Sequence, residues 1–91
     1  MKFEWNEEKA KLNLSKHEVS FQEAKTVFND ALFLIFADID HSLEENRFII
    51  MGESDKGRLL VVAYTERKMV TRIITARKAT PLERKFYEQE R

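Results

Sequence analysis

At 91 residues the chain has room for one domain, and a 43% hydrophobic content that includes seven Phe, two Tyr and one Trp supplies a real but small core. The absence of Cys excludes disulfides and thiolate metal sites, and no apolar run approaches the ~18 residues of a membrane span or resembles a leader, so a soluble cytoplasmic protein is expected. Net charge is zero but unevenly spread: residues 1–57 carry seven basic and twelve acidic side chains, whereas residues 58–91 carry nine and four, which gives one basic pole able to take a polyanion.

There is no repeat, low-complexity tract or linker, so residues 1–91 are expected to pack as a single unit. Phe3-Glu4-Trp5 alternates like a short first strand. Asn6 followed by Glu7 and Glu8 is a helix start, with a side-chain acceptor and two acids at the positive end of the dipole, and the helix should run to about Lys16. Ser20-Phe21-Gln22-Glu23 is a capping box, and Phe21, Ala24, Val27, Phe28 and Ala31 recur at helical spacing behind it. Four strand-like runs follow, Leu32 to Ala37, Arg47 to Gly52, Leu59 to Thr65 and Val70 to Arg77, joined by short polar turns as in an antiparallel meander. Thr80, Pro81 and Glu83 then open a last helix. The predicted fold is α+β: a short N-terminal strand, two helices, a four-stranded antiparallel meander and a C-terminal helix.

The ribbon from Gly57 to Ala79 carries the chemistry. Arg58, Arg67, Arg72 and Arg77 interrupt otherwise β-branched and apolar runs, where an unpaired guanidinium is costly, so an anion is the expected partner and phosphate the commonest one. With the turn centred on Arg67-Lys68, alternation puts Arg58, Leu60, Val62, Tyr64, Thr71, Ile73, Thr75 and Arg77 on an open face and Leu59, Val61, Ala63, Val70, Arg72, Ile74 and Ala76 against the helices. Arg72 and Arg77 are an odd number apart, so only a bulge would bring them to one face.

In order along the chain, Phe3-Glu4-Trp5, Lys16-His17, Val19-Ser20-Phe21 with Ala24, His41-Ser42, Arg47-Phe48-Ile49, Gly57 to Val62, Tyr64 to Arg67, Arg72-Ile73-Ile74 and Ala76 to Ala79 resemble the BrnT toxin family, ribonuclease members of bacterial type II toxin-antitoxin pairs with a RelE-like fold. Glu18 stands where that family usually has Gly, and Asn6 where Asp is usual. The resemblance implies a metal-independent endoribonuclease that needs no cofactor, cleaves RNA through the 2′-hydroxyl and arrests translation. It also implies neutralisation by a cognate antitoxin, expected to be of ribbon-helix-helix type, in an assembly such as a toxin-antitoxin heterotetramer or with a toxin homodimer.

Such cleavage needs a base at the 2′-hydroxyl, an acid at the leaving 5′-oxygen and cations around the charged transition state. Arg77 leads for the cationic role, with Arg72 and Arg67 nearby in sequence. Lys16 and His17 are the candidates for charge stabilisation and proton transfer. Arg58, Tyr64, Thr75 and Lys78 are the candidate RNA contacts. The plainer reading is that individual arginines cap strand ends and pair with carboxylates, and that His17 serves a helix end. The acidic run Asp38 to Glu45 matches no metal loop and reads as a solvated turn, an antitoxin contact or a clamp on Arg47 or Arg58. Two further classes remain open: a non-catalytic protein-interaction module, and a nucleic-acid-binding regulator.

Overall fold

The computed structural model describes residues 1–41 and 46–89. Its helices are α1 (Glu7–His17), α2 (Phe21–Ala24) and α3 (Pro81–Gln89), and its strands β1 (Lys2–Glu4), β2 (Leu34–Ala37), β3 (Arg47–Glu53), β4 (Leu59–Arg67) and β5 (Val70–Lys78). Strands β2 to β5 form the expected antiparallel meander. β1 adds to its far side, parallel to β5, so the sheet is mixed and five-stranded in the order β1-β5-β4-β3-β2. Residues 42–45, the second half of the acidic run, lie outside the described residues; Ile39–His41 before them form a 3₁₀ turn.

The helix starts follow their caps. Asn6 accepts from the Lys9 amide at 3.0 Å, Ser20 from the Glu23 amide at 3.0 Å, and Thr80 from the Glu83 amide at 3.1 Å. The second helix does not continue to Ala31 as its periodicity suggests; after one turn it tightens into a 3₁₀ segment, Lys25–Asn29. There the Thr26 hydroxyl donates to the Glu23 carbonyl at 2.6 Å and accepts from the Asp55 amide at 2.9 Å, which ties this turn to the β3–β4 loop. The tie brings the 3₁₀ backbone against Gly52, where a Cβ would lie 3.1 Å from the Val27 carbonyl oxygen.

Glu18 ends α1 in the left-handed region, φ 59°, with its amide bonded to the Leu14 carbonyl at 2.9 Å. This is the position where a glycine closes a helix without steric cost, and it is the position where the sequence departs from Lys-His-Gly. A side chain held there costs roughly 1–2 kcal/mol. The exposed contact from Glu18 to Lys78, at 3.5 Å, returns little of it. Glu18→Gly should therefore raise the melting temperature by about 4–8 °C, the response of a small domain to ~1 kcal/mol, as read by a calorimetric scan.

Both sheet faces are covered, but not in the way alternation implies. Leu60, Val62, Tyr64 and Ile73, expected on the open face, form the main core with Val19, Phe21, Ala24, Val27, Ile50 and Ala76 under α1 and α2. Phe3 stacks edge-on against Phe28 and Trp5 against Phe21, which closes this core at the β1 side. On the opposite face Met51, Leu59 and Val61 are buried with Tyr87 of α3, and α3 covers only that end of the sheet. The other end of the same face, toward the β4–β5 hairpin, is left to polar and charged side chains.

Two local departures rearrange the ribbon. The hairpin turn centres on Lys68-Met69, one residue later than expected, with Arg67 opposite Val70 and both turn residues at positive φ, 51° and 68°. A bulge then interrupts the β4–β5 ladder: Tyr64 faces Ile73 and Ala63 faces Thr75, so Ile74 is the extra residue. Beyond it the parity of β5 flips. Thr75 and Arg77 cross to the face that holds Arg67 and Arg72, and Ala76 goes to the core.

Candidate nucleic-acid interface

The sheet end not covered by α3 forms a recess of about 430 Å³. Each strand there supplies a side chain by register: Glu4 of β1 is opposite Arg72 of β5, Arg72 opposite Thr65 of β4, and Thr65 opposite Arg47 of β3. Arg67 and Lys68 at the hairpin end, Val70, Ile74 and Lys9 of α1 complete the lining. Five cationic side chains and one carboxylate thus surround one cavity, a charge balance suited to an anion. A second hollow, of about 230 Å³, is lined by Lys9, Leu12, Asn13, Lys16, His17, Ile74 and Thr75. Lys9 and Ile74 line both, so the two hollows adjoin. An apolar hollow of about 530 Å³ lined by Met51, Leu82 and Phe86 lies beneath α3 and lacks such a cluster of cations.

The four ribbon arginines fall into different circumstances. Arg72 donates to Glu4 at 2.9 Å, with the two side chains 46% and 53% exposed. An exposed pair of this kind is worth at most about 1 kcal/mol, so a phosphate can displace the carboxylate cheaply. Arg67 is exposed at the recess rim. Arg77 shares their face through the bulge, but its two terminal nitrogens donate to the two Glu83 oxygens at 2.8 and 2.9 Å, and it lines neither hollow. Arg58 lies outside both hollows: it is clamped by Glu23 and donates to the Glu18 carbonyl at 3.0 Å. The plainer reading, arginine paired with carboxylate, thus describes Arg58 and Arg77 best. Arg58's clamp is Glu23 of α2 rather than the acidic run.

Of the other sequence candidates, Lys16, His17 and Thr75 meet in the second hollow. Lys78 lies near Glu18. Tyr64 is not on an open face: it is 5% exposed, packed between Phe28 and Phe48, and burial, with the Glu66 charge behind it, pushes its hydroxyl above the ordinary range. Sequence reasoning passed over Lys9, Arg47, Lys68 and Glu4. Glu4 was legible only as a strand residue, because its place opposite Arg72 depends on β1 joining the sheet in parallel.

Asn13 explains how α1 is held beside this site. Its amide nitrogen donates to the Val19 carbonyl at 2.9 Å and to the Ala76 carbonyl at 2.8 Å, while its oxygen accepts from the Ala76 amide at 3.1 Å. The side chain thus stands in for a neighbouring strand at the edge of β5. It satisfies a buried backbone pair and fixes the Lys9–Lys16 face against the bulge.

Glu83 performs two tasks, accepting from the Thr80 amide at 2.9 Å and holding Arg77. Chiefly through the Arg77 guanidinium, its carboxyl is held down at about 2, against an ordinary 4.5. The folded value is below the unfolded one, so the stabilisation is fully present above 4.5 and is lost as pH falls toward about 2. Accordingly, the stability difference between wild type and Glu83→Gln should be constant above that window and shrink within it, measured by urea unfolding across a pH series.

Fold and site together define a small α+β domain with an open cationic recess beside a helix-lined hollow, a charge balance suited to an anion. The profile of the family described as the ribonuclease toxin BrnT of type II toxin-antitoxin systems matches residues 5–83, and the chain belongs to that family. Its fold is similar to the 1.1 Å crystal structure of the Brucella abortus ribonuclease toxin BrnT, with a TM-score of 0.70 and 20% identity over 88% of this chain and 97% of that one. Among curated proteins none matches.

Proposed function

We propose that this member of the ribonuclease toxin family is a metal-independent endoribonuclease that cuts RNA at the recess floored by Arg72 and Thr65, arrests translation by doing so, and is held in check by a cognate antitoxin. The observation that carries this reading is the convergence of Arg47, Arg67, Lys68, Arg72 and Lys9 around one cavity that also holds Glu4. In the proposed reaction the 2′-oxygen attacks the adjacent phosphorus as its proton passes to a base. The bond to the 5′-oxygen breaks as that oxygen takes a proton, leaving a 2′,3′-cyclic phosphate. Glu4 is the carboxylate among the described lining residues and is assigned the base. The arginines hold the equatorial oxygens, with forked donors that stay charged at any relevant pH. Lys9, which lines the recess from the α1 side, is the proton donor available to the leaving oxygen, while His17 lies in the adjoining hollow.

The antitoxin is assigned to the same basic face, where an acidic segment would satisfy the cations that RNA otherwise takes; the ribbon-helix-helix type remains the class expected for it. Incubation of the purified chain with RNA in excess EDTA tests the enzymatic reading. New ends carrying a 2′,3′-cyclic or 3′-phosphate support it. Binding without cleavage would instead make the chain a nucleic-acid-binding regulator, and neither binding nor cleavage would make it an interaction module.

A further inference from the structure

We infer that the hollow between α1 and the β5 bulge is a nucleotide-holding subsite through which single-stranded RNA passes as it leaves the recess. This inference rests on the reading of the recess as an RNA site and names the form of RNA that the site accepts. Lys9, Leu12 and Lys16 follow one another at positions i, i+3 and i+7, so they form one stripe along α1. With a rise of 1.5 Å per residue, the two lysines are set ~10 Å apart along the axis, which makes them a pair that brackets a nucleotide rather than a grip on one phosphate. Between them the floor is apolar. Leu12 is 69% exposed, and Ile74, the residue the bulge leaves out of the ladder, faces the same hollow.

Core packing accounts for neither the exposure of Leu12 nor its place between two cations. A nucleobase laid on Leu12 and Ile74 covers both, with its phosphates toward Lys9 and Lys16. Strand β1 covers the outer edge of β5 only as far as Arg72, and Asn13 takes both backbone groups of Ala76, so Ile74 and Thr75 lie in the gap between these two covers. Asn13 has already committed its amide to the backbone. The groups left to meet a base edge are the Thr75 hydroxyl and the His17 imidazole. A hollow of about 230 Å³ admits a base that is splayed out and not one stacked and paired in a duplex, which gives the selectivity for single strands.

The test is the length dependence of RNA affinity, measured by fluorescence anisotropy on 2′-O-methyl oligonucleotides, which cannot supply the attacking hydroxyl. Wild type is expected to bind a single-stranded hexamer at least tenfold more tightly than a dinucleotide, because only the hexamer reaches from the recess into the hollow. Leu12→Asp should remove most of that advantage. Lys16→Ala should weaken the hexamer and lower its salt slope by about one. Thermal melts of both variants, which change exposed positions, confirm that the fold persists. A Leu12→Asp chain that keeps the full hexamer advantage overturns the subsite and leaves the recess standing, as does a blunt RNA duplex that binds as tightly as the single strand. A wild-type chain that binds neither oligonucleotide overturns the subsite and the proposed function together.

Discussion

Arg72→Ala and Arg67→Ala are each expected to lower the rate of RNA cleavage by a hundredfold or more while leaving the melting temperature almost unchanged. The magnitude is that of removing one preorganised donor from a developing oxyanion, about 10²–10³ in rate. The small effect on stability follows from exposure, since Arg72 gives up only a solvent-facing pair with Glu4 and Arg67 stands at the recess rim. Arg77→Ala should show the opposite balance. Its guanidinium holds Glu83 and through it the first turn of α3, so the loss should be felt first as a lower melting temperature. Cleavage assays on folded protein, with melts of the same samples, separate the two patterns. Should Arg77→Ala lose as much rate as Arg72→Ala, Glu83 must release Arg77 when RNA binds, and the catalytic set extends along the bulged strand.

That contrast also marks where the sequence stops being sufficient. Asn6, Ser20 and Thr80 announce their helices because a cap is a local bargain between a side chain and amides two or three residues on. Arg72 and Arg58 offer no such local signal. The partners of Arg72 and Arg58 lie 68 and 35 residues away, so nothing in the ribbon says which guanidinium is spent on the fold. Alternation correctly groups Tyr64 with Thr71 and Ile73, but it is blind to which face the helices cover when α3 also covers half of the other. It is equally blind to an unpaired Ile74, which reverses every assignment beyond it. The turn falls one residue later than the pattern suggests because Lys68 and Met69 adopt positive φ without the Gly or Asn that normally reports it. The second helix stops short where the Thr26 hydroxyl accepts from the amide of Asp55, another partner distant in sequence. The basic recess is thus legible as residue types and as a family resemblance, and its membership depends on register.

Arg58→Met is expected to be the most destabilising of the substitutions considered, and the contribution of Glu23 to its pH dependence should have the opposite sign to that in wild type. Glu23 is buried, its side chain 2% exposed, and its carboxylate accepts from Arg58 Nε at 2.9 Å, from a second Arg58 nitrogen and from the Ser54 hydroxyl at 2.7 Å. In wild type Arg58 outweighs the cost of burial and holds Glu23 below the ordinary 4.5, so this pair stabilises the fold above that value and loses its contribution as pH falls. Removing Arg58 leaves a buried carboxylate with only Ser54 and distant Lys56 to oppose desolvation. Breaking a buried pair from one side costs about 3–5 kcal/mol, which for a domain of this size is roughly 12–40 °C in melting temperature. Desolvation then raises the Glu23 value above that of the unfolded chain, so protonation relieves the variant, and the gap to wild type should narrow as pH is lowered. Glu23→Leu combined with Arg58→Met removes both charges and should recover most of the loss near neutrality, because the cost belongs to the orphaned carboxylate and not to the missing arginine. Equilibrium unfolding of the two variants at neutral and acidic pH measures both signs. A double variant no more stable than Arg58→Met would mean that the guanidinium's bond to the Glu18 carbonyl, which ties β4 to the end of α1, carries the energy instead.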